Sequence, residues 1–286
     1  MEISRVGVVG LGTMGAGIAQ VCLQAGVEVI GREVVPELGE GARLTIDHYL
    51  TRGVEKGRLS EDEKDAALGR LSLVTDLAEL ASCELVIEAA FEDLDVKREL
   101  FAELDRIAAP PAVLATNTSA LSVTQIAEAT QTPERVVGMH FFNPAPVLPL
   151  VEVIRTAHTS DEAFDTAYAF AQRVGKEPVP CNDTPGFIVN RILIPLLNDC
   201  VRVLDESRVM PEDVDRAMRF GANWPIGPCA LIDLIGVDVH VHASEALHAA
   251  LGEERMAPPQ RLLEMQQAGR LGRKSGHGFY DYEPLS

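Results

Sequence analysis

The sequence predicts an α/β fold with a doubly wound, mostly parallel sheet, followed by an all-helical C-terminal domain. Short runs rich in Val and Ile alternate with stretches of helical length in the first part of the chain. This alternation is typical of a parallel sheet with helices on both faces. A glycine-rich turn joins the first run to the first helical stretch. After "KEPVPCN" the β-rich runs stop, and helical patterns continue into the tail.

The elements can be assigned in order along the chain. The predicted strands are "RVGVVG", "VEVIG", "ELVIEAA", "AVLATNTS", "RVVGMHFFNP" and "LVEVIR". We place the first domain at residues 1–182 and the second at 183–286. The second domain opens with "DTPGFIVNR", where Thr184 is expected to cap a helix and Pro185 to occupy its first turn.

Composition limits the class of protein. The chain has 286 residues, 47% of them hydrophobic, which is enough for one large or two ordinary domains. A net charge of -18 argues against a nucleic-acid partner. No apolar run reaches the roughly 18 residues of a membrane span, and Val6 already begins a strand. Because a strand that begins at Val6 leaves no room for a signal peptide, we expect a cytoplasmic protein without a membrane partner. The five scattered cysteines are then expected to be reduced.

The glycine-rich turn has the GxGxxG pattern of a Rossmann-type dinucleotide site. Its first glycine permits a tight turn, the second lets a pyrophosphate approach the backbone, and the third lets helix and strand pack closely. Glu33 ends the next strand, where an acid binds the adenosine ribose and repels a 2′-phosphate, so we expect NAD. The neighbouring Arg32 leaves NADP open as an alternative, and a glycine turn without any ligand is the structural alternative. The turn residues expected to bind the cofactor are Gly10, Leu11, Gly12, Thr13, Met14 and Gly15.

A histidine and an acid stand in apolar surroundings in "GMHFFNPAPVLPLVEV". Oxidation of an alcohol by NAD also removes a proton, which suits His140 as a general base if Glu152 orients its ring and stabilises its charged form. The alternative is a buried pair that only satisfies its own hydrogen bonds. Ser119 and Asn190 are candidates for binding the substrate. Taken singly, Ser119 suits a helix N-cap and Asn190 a helix–helix hydrogen bond.

These segments resemble the 3-hydroxyacyl-CoA dehydrogenase family, in particular its bacterial 3-hydroxybutyryl-CoA dehydrogenases. The resemblance rests on "GLGTMGAGIA", "NTSALS", "GMHFFNPAPVLPLVEV", "DTPGFIVNR" and "AGRLGRKSGHGFYDY", in order and without large gaps. The sequence departs from the family pattern at Ala120, Pro149 and Gly31. Ala120 and Pro149 do not carry the proposed proton chemistry but could alter the acyl pocket or the affinity for CoA, and Gly31 bears on the choice between NAD and NADP.

The resemblance implies roles for individual residues. His140 is the general base for oxidation of a 3-hydroxyacyl-CoA, with Glu152 as its partner. Ser119 and Asn190 bind the reacting oxygen and the thioester region. Further cofactor contacts are implied for Ser119, Asn143, Glu92, Lys97 and Lys274. Without the resemblance, Glu92 and Lys97 have the pattern of solvated charges at a helix start.

A basic segment offers a place for coenzyme A in an acidic protein. The predicted helical excursion near residues 36–69 carries Arg43, Arg52, Lys56 and Arg58. Arg52 and Lys56 are four residues apart and would share a helix face. A solvated basic face is the ordinary interpretation, whereas the resemblance implies that these residues bind the nucleotide end of an acyl-CoA substrate. The family also implies a homodimer formed through the helical domain, and the apolar runs of that domain favour one.

Three alternatives share parts of this pattern. A sugar-acid dehydrogenase of the gulonate type would not need the basic excursion, and a non-catalytic NAD-binding structural protein would not need the His140 constellation. A 6-phosphogluconate-type dehydrogenase relies on a lysine base. We expect no metal, because His240, His242 and His248 lack ligand partners at suitable spacing and are expected at solvated or dimer-facing positions.

Overall fold

A computed structural model describes residues 3–283 of the chain, which forms two compact units, Met1–Thr184 and Pro185–Ser286. The first unit contains one eight-stranded sheet in the order β3-β2-β1-β4-β5-β6-β7-β8. Its strands are β1 Arg5–Val9, β2 Glu28–Arg32, β3 Leu71–Val74, β4 Leu85–Glu88, β5 Val113–Thr116, β6 Val136–Phe141, β7 Leu150–Arg155 and β8 Glu177–Asn182.

The sheet is parallel except where β6 pairs with β7. Strand β1 lies between β2 and β4, so the chain order reverses beside β1. In such sheets ligands bind beyond the carboxyl ends of the strands at this reversal. The predicted doubly wound, mostly parallel sheet is confirmed.

Helices connect the strands and bury their apolar faces against the sheet. They are α1 Thr13–Gln24, α2 Pro36–Glu55, α3 Glu61–Leu68, α4 Leu94–Ile107, α5 Val123–Ala127 and α6 Asp161–Arg173. Several begin where the sequence supplies a cap. Ser60 and Glu63 form a capping box at α3, Asp93 caps α4 and Ser160 caps α6. Strands β4 and β5 are buried throughout and form the centre of the core.

The sequence patterns missed two strands, β3 and β8. Strand β8 contains Pro178 and Pro180 and pairs in parallel with β7 at the edge of the sheet. An edge strand tolerates proline because a missing backbone N–H can face away from the partner strand. Two prolines in six residues therefore mark a strand that has only one neighbour.

The second unit is helical, as predicted. Its helices are α7 Val189–Ser207, α8 Pro211–Gly221, α9 Pro228–Ile235, α10 Val237–Leu251 and α11 Gln260–Gln267. The predicted start of the first helix was wrong. Gly186 and Phe187 have φ of +74° and +50°, so a turn separates Pro185 from α7. The left-handed backbone of this turn is incompatible with a helix that starts at Thr184.

Two buried aspartates hold the C-terminal tail against the helices of the second unit. Asp233 accepts hydrogen bonds from the backbone nitrogens of Phe279 and Tyr280 at 2.9 and 3.0 Å. Asp215 accepts the hydroxyl of Tyr280 at 2.8 Å and the backbone nitrogen of Cys229 at 2.7 Å. These bonds place the segment that carries Lys274. Within residues 3–283, none of the helices combines the length and apolar character needed to cross a membrane.

Candidate active site

The glycine turn between β1 and α1 has the geometry of a dinucleotide site. Gly10 has φ of +83°, which a side chain would strain. No described atom lies within 4 Å of a Cβ built at Gly12, whereas a Cβ at Gly15 would lie 1.8 Å from the carbonyl oxygen of Gly10. Gly10 thus permits the turn, Gly12 leaves room for a ligand, and Gly15 permits close packing of the helix against the turn. The turn therefore fits a bound dinucleotide.

Glu33 lies beside this turn. Its Oε1 accepts the backbone N–H of Leu11 at 2.5 Å, and its Oε2 accepts that of Val34 at 3.1 Å. The carboxylate is thereby held at the end of β2, at the same sheet edge as the glycines. Arg32, which left NADP open, donates its Nε to the carbonyl oxygen of Thr75 at 3.1 Å. The Nε–H group of Arg32 is therefore already hydrogen-bonded to the backbone.

His140 and Glu152 face each other across two neighbouring strands. They are direct partners in the antiparallel register of β6 and β7, and Nδ1 of the ring lies 2.7 Å from Oε2 of the carboxylate. His140 is 4% exposed and Glu152 1%. The pair is close to the carboxyl end of β6, at the sheet edge that carries the glycine turn. The carboxylate fixes the orientation of the ring by this contact with Nδ1.

The loop after β5 brings Ser119 to the same edge. Ser119 is exposed three residues beyond the end of the strand. Its backbone N–H donates to Oε1 of Glu92 at 2.9 Å. In the same loop, buried Asn117 accepts the backbone N–H of Phe141 at 2.8 Å, which ties the loop to the residue after His140. Ser119 is not the N-cap of α5, since Ser122 has that role.

Lys97 is not a solvated charge. Its side chain is completely buried, and its Nζ lies 2.5 Å from Oε1 of the equally buried Glu88 and 3.4 Å from Oε2 of Glu92. Sequence reasoning missed Glu88. The available signal was an acid at the end of the apolar run "ELVIEAA", similar to the setting of Glu152 in "LVEVIR". A burial this complete is unusual for a lysine unless it is paired.

The loop between β6 and β7 carries Asn143, which is exposed. A second buried lysine holds this loop. Nζ of Lys176 donates to the carbonyl oxygens of Ala145 and Leu148 at 2.5 and 2.9 Å. Burial lowers the pKa of Lys176. The loop also packs on α1, because a Cβ at Gly17 would lie 3.2 Å from the side chains of Ala145 and Pro146.

The second unit contains the remaining candidates, Asn190 and Lys274. Asn190 is the second residue of α7. Nζ of Lys274 lies 2.7 Å from Oδ2 of Asp238, at the start of α10. Partial burial would raise the pKa of Asp238, but the hydrogen bond and charge of Lys274 outweigh it and lower that pKa. This ion pair holds the lysine of the tail in place.

The predicted excursion consists of α2 and α3. Four of its cations, Arg43, Arg52, Lys56 and Arg58, are exposed, whereas Lys64 is half-buried and pairs with Asp47. Arg52 lies in the last turn of α2 and Lys56 directly follows the helix. Arg52 and Lys56 thus bring two exposed positive charges close together at the end of α2.

The expected exposure of the three histidines was wrong for His240. This side chain is completely buried, and its Nε2 lies 2.8 Å from Oδ1 of Asn198. Burial lowers the pKa of His240 to about 4, so the ring is neutral at pH 7. The spacing of the histidines along α10 does not show that α7 packs over His240.

A dinucleotide turn and a buried histidine–glutamate pair at the same edge of the sheet are features of a nucleotide-dependent dehydrogenase. The sequence matches the profile "3-hydroxyacyl-CoA dehydrogenase, NAD binding domain" over residues 5–184 and "3-hydroxyacyl-CoA dehydrogenase, C-terminal domain" over residues 186–282. The chain belongs to the 3-hydroxyacyl-CoA dehydrogenase family. The family resemblance and the predicted cofactor, NAD, are thus confirmed.

Individual relatives match over almost the whole chain. A 3-hydroxybutyryl-CoA dehydrogenase of Mycobacterium tuberculosis (strain CDC 1551) is 47% identical over 98% of this chain and 99% of its own. A probable 3-hydroxybutyryl-CoA dehydrogenase of Bacillus subtilis is 44% identical over 99% of both. The crystal structure of (S)-3-hydroxybutyryl-CoA dehydrogenase PaaH1 from Ralstonia eutropha has a TM-score of 0.95 at 40% identity and covers 99% of this chain and 100% of its own.

Proposed function

We propose that this protein catalyses the reversible, NAD-dependent oxidation of the 3-hydroxyl group of a 3-hydroxyacyl-CoA to the 3-ketoacyl-CoA. The substrate that we propose is 3-hydroxybutyryl-CoA, the compound named for its full-length relatives. The observation that carries the proposal is the buried His140–Glu152 pair, 2.7 Å apart, at the sheet edge that also carries the dinucleotide turn.

The pair supplies the proton transfer that the reaction needs. Because an ionised carboxylate can only accept hydrogen bonds, Nδ1 of His140 carries the proton of that bond. Nε2 is then the nitrogen that removes the proton of the C3 hydroxyl. Glu152 stabilises the resulting imidazolium, and the same imidazolium returns the proton when the ketone is reduced.

A bound NAD would supply the hydride acceptor for C3 of the substrate. The chain's own residues bind and orient it. Gly12 leaves room for the pyrophosphate at the start of α1, and Glu33 binds the ribose hydroxyls. Ser119, Glu92, Lys97, Asn143 and Lys274 are proposed as further cofactor contacts. Ser119 and Asn190 are also proposed as hydrogen-bond donors to the reacting oxygen and the thioester.

The helical excursion is the proposed site for the nucleotide end of coenzyme A. Several phosphate charges must approach a chain with a net charge of -18. Arg52 and Lys56 are exposed neighbours at the end of α2 and supply local positive charge. A sugar acid carries no such phosphates and would gain nothing from this surface, so the gulonate-type alternative is not favoured.

The helical unit is the proposed dimerisation domain. An apolar groove of about 420 Å³ is lined by Leu196, Cys200, Val203, Val209, Val214 and Met218. Val203 is half exposed and Met210 is 63% exposed, although both are large apolar residues. Burial of this surface against a second copy would remove it from water. Val203→Asp is expected to yield monomers in sedimentation velocity, and a monomeric wild type would contradict the proposed homodimer.

We place the enzyme in the cytoplasm, where acyl-CoA and NAD are available.

The test is absorbance at the reduced-nicotinamide band with acetoacetyl-CoA, comparing NADH with NADPH. Rapid oxidation of NADH is the expected result. His140→Ala is expected to lower kcat by about 10² to 10⁴, the usual loss for a positioned base. Unchanged turnover in His140→Ala, or a folded wild type with no activity on any 3-ketoacyl-CoA, would contradict the proposed reaction.

A further inference from the structure

A second buried acid–base pair, Glu88 and Lys97, lies at the end of β4. Both side chains are completely buried, and Nζ lies 2.5 Å from Oε1. The carboxylate has two further donors. Oε2 accepts the hydroxyl of Thr116 at 2.7 Å, and Oε1 also accepts the backbone N–H of Ala90 at 2.7 Å. Glu88 therefore ties together the ends of β4 and β5, the loop after β4 and the first turn of α4.

Stability alone is a weak reason for such a pair. Two charges lose their hydration on burial, and apolar residues of similar size are often equally stable in their place. A retained buried pair is more informative about geometry, because its short hydrogen bonds permit only one arrangement of the elements that carry it.

The pair continues toward Ser119. Nζ of Lys97 lies 3.4 Å from Oε2 of Glu92. The other oxygen of Glu92 accepts the hydroxyl of Thr118 at 2.6 Å and the backbone N–H of Ser119 at 2.9 Å. The side chain of Glu92 is 35% exposed, and the buried lysine is the group that contacts its Oε2. A chain of short contacts thus connects Glu88 to the serine loop.

The same carboxylate also reaches the dinucleotide turn. Ala90, whose N–H bonds to Glu88, lies against Gly10. A Cβ at Gly10 would be 2.8 Å from both Cα and N of Ala90. Glu88 therefore holds one short segment that packs on the cofactor turn at one end and binds the Ser119 loop at the other.

We propose that Glu88 is a positioning residue for the reaction, which through Lys97 and Glu92 sets the place of Ser119 relative to the dinucleotide turn. In this arrangement the ammonium group of Lys97 lies between the carboxylates of Glu88 and Glu92 and links them. The inference depends on the proposed function for its kinetic consequence, but its structural consequence can be measured separately.

The test is Glu88→Gln in the full-length protein, which keeps the size of the side chain and removes its charge. With acetoacetyl-CoA and NADH, kcat is expected to fall by roughly 10- to 100-fold, the scale of a displacement of about 1 Å in a reacting group. The fall in kcat is expected to exceed any rise in KM for NADH, to which Glu92 and Lys97 contribute as proposed cofactor contacts. In a protein that already carries Ser119→Ala, adding Glu88→Gln should cause little further loss of kcat.

A readout without catalysis accompanies the kinetics. Hydrogen exchange of the backbone amides in residues 117–121 should be faster in Glu88→Gln than in wild type. The matched control is Glu84→Gln, at the residue directly before the same strand. Glu84 also accepts a backbone N–H, that of Arg5 at 3.0 Å, and its variant should leave kcat and the exchange of residues 117–121 unchanged.

If Glu88→Gln does not fold, the double variant Glu88→Leu, Lys97→Met replaces the pair by apolar side chains and should show the same loss of kcat and faster exchange. Wild-type kcat and exchange in a folded variant would overturn the proposal. So would an equal loss of kcat in the Ser119→Ala background. A rise in KM for NADH with unchanged kcat would also overturn it, because Glu88 would then support cofactor binding and not the position of Ser119. A wild type inactive on 3-ketoacyl-CoA would contradict the proposed function, while exchange would still decide this inference.

Discussion

Nδ1 of His140 lies 2.7 Å from Oε2 of Glu152, directly across the antiparallel pair β6 and β7. The two residues are twelve positions apart in the sequence but occupy one rung of the sheet. A register shift of one residue would turn Glu152 to the opposite face and separate the pair. The register of these two strands is therefore part of the proposed active site.

Glu152→Gln tests whether the carboxylate activates the histidine. The amide of Gln can donate to Nδ1 and favour the tautomer in which Nε2 carries the proton, so that the ring is no longer a base toward substrate. We expect kcat for acetoacetyl-CoA reduction to fall by about 10² to 10⁴. The double variant His140→Ala, Glu152→Gln should be no slower than His140→Ala. Nearly normal turnover in Glu152→Gln would mean that the pair has only a structural role.

Cofactor preference should depend on Glu33 rather than Arg32. A 2′-phosphate near the Glu33 carboxylate would be repelled, so KM for NADPH should exceed that for NADH by about tenfold or more. Glu33→Gln should narrow this difference. Arg32→Gln is the matched control, and its KM for NADH should stay within about twofold of wild type. A larger change in NADPH use by Arg32→Gln than by Glu33→Gln would assign the preference to Arg32.

The helical excursion should affect affinity for acyl-CoA and not for NADH. Arg52→Gln and Lys56→Gln should each raise KM for acetoacetyl-CoA by roughly two- to fivefold, as expected for exposed charge pairs, and less so at high salt. Arg98→Gln removes an exposed cation from α4, outside the excursion, and should have no such effect. Equal changes in all three variants would indicate a general effect of net charge.

Burial of His240 predicts that acid destabilises the protein. Its folded-state pKa is about 4, whereas an unfolded histidine has a pKa of about 6.5. Between these values only the unfolded chain binds the proton, so stability falls as the pH drops from about 6.5 toward 4. From pH 7 to pH 5 the loss from this residue is about 2 kcal/mol.

His240→Gln should remove that part of the loss in the free energy of unfolding, measured by urea titration at pH 7 and pH 5. His242→Gln, an exposed histidine two residues further along α10, should keep it. Identical pH dependence in wild type and His240→Gln would show that His240 does not govern the acid sensitivity.

The sequence by itself was sufficient for the features that depend on local pattern. The alternation of strands and helices predicted the sheet, and the glycine spacing with the acid at Glu33 predicted the dinucleotide turn. The setting of His140 and Glu152 in apolar runs predicted that they would pair. These features are readable because each arises from residues close together in the chain, or from two strands whose neighbours are evident from their composition.

The tertiary structure decided which charged and polar residues are buried. Lys97 and His240 have the spacing of exposed helix residues, yet both are enclosed, one by Glu88 and the ends of β4 and β5, the other by α7. Burial depends on what packs over a side chain from distant parts of the chain, which helical periodicity does not contain. The edge position of β8 and the turn before α7 depended in the same way on tertiary neighbours and backbone geometry. The role that we propose for Glu88 rests on three contacts, with Lys97, Thr116 and Ala90, which only the fold brings together.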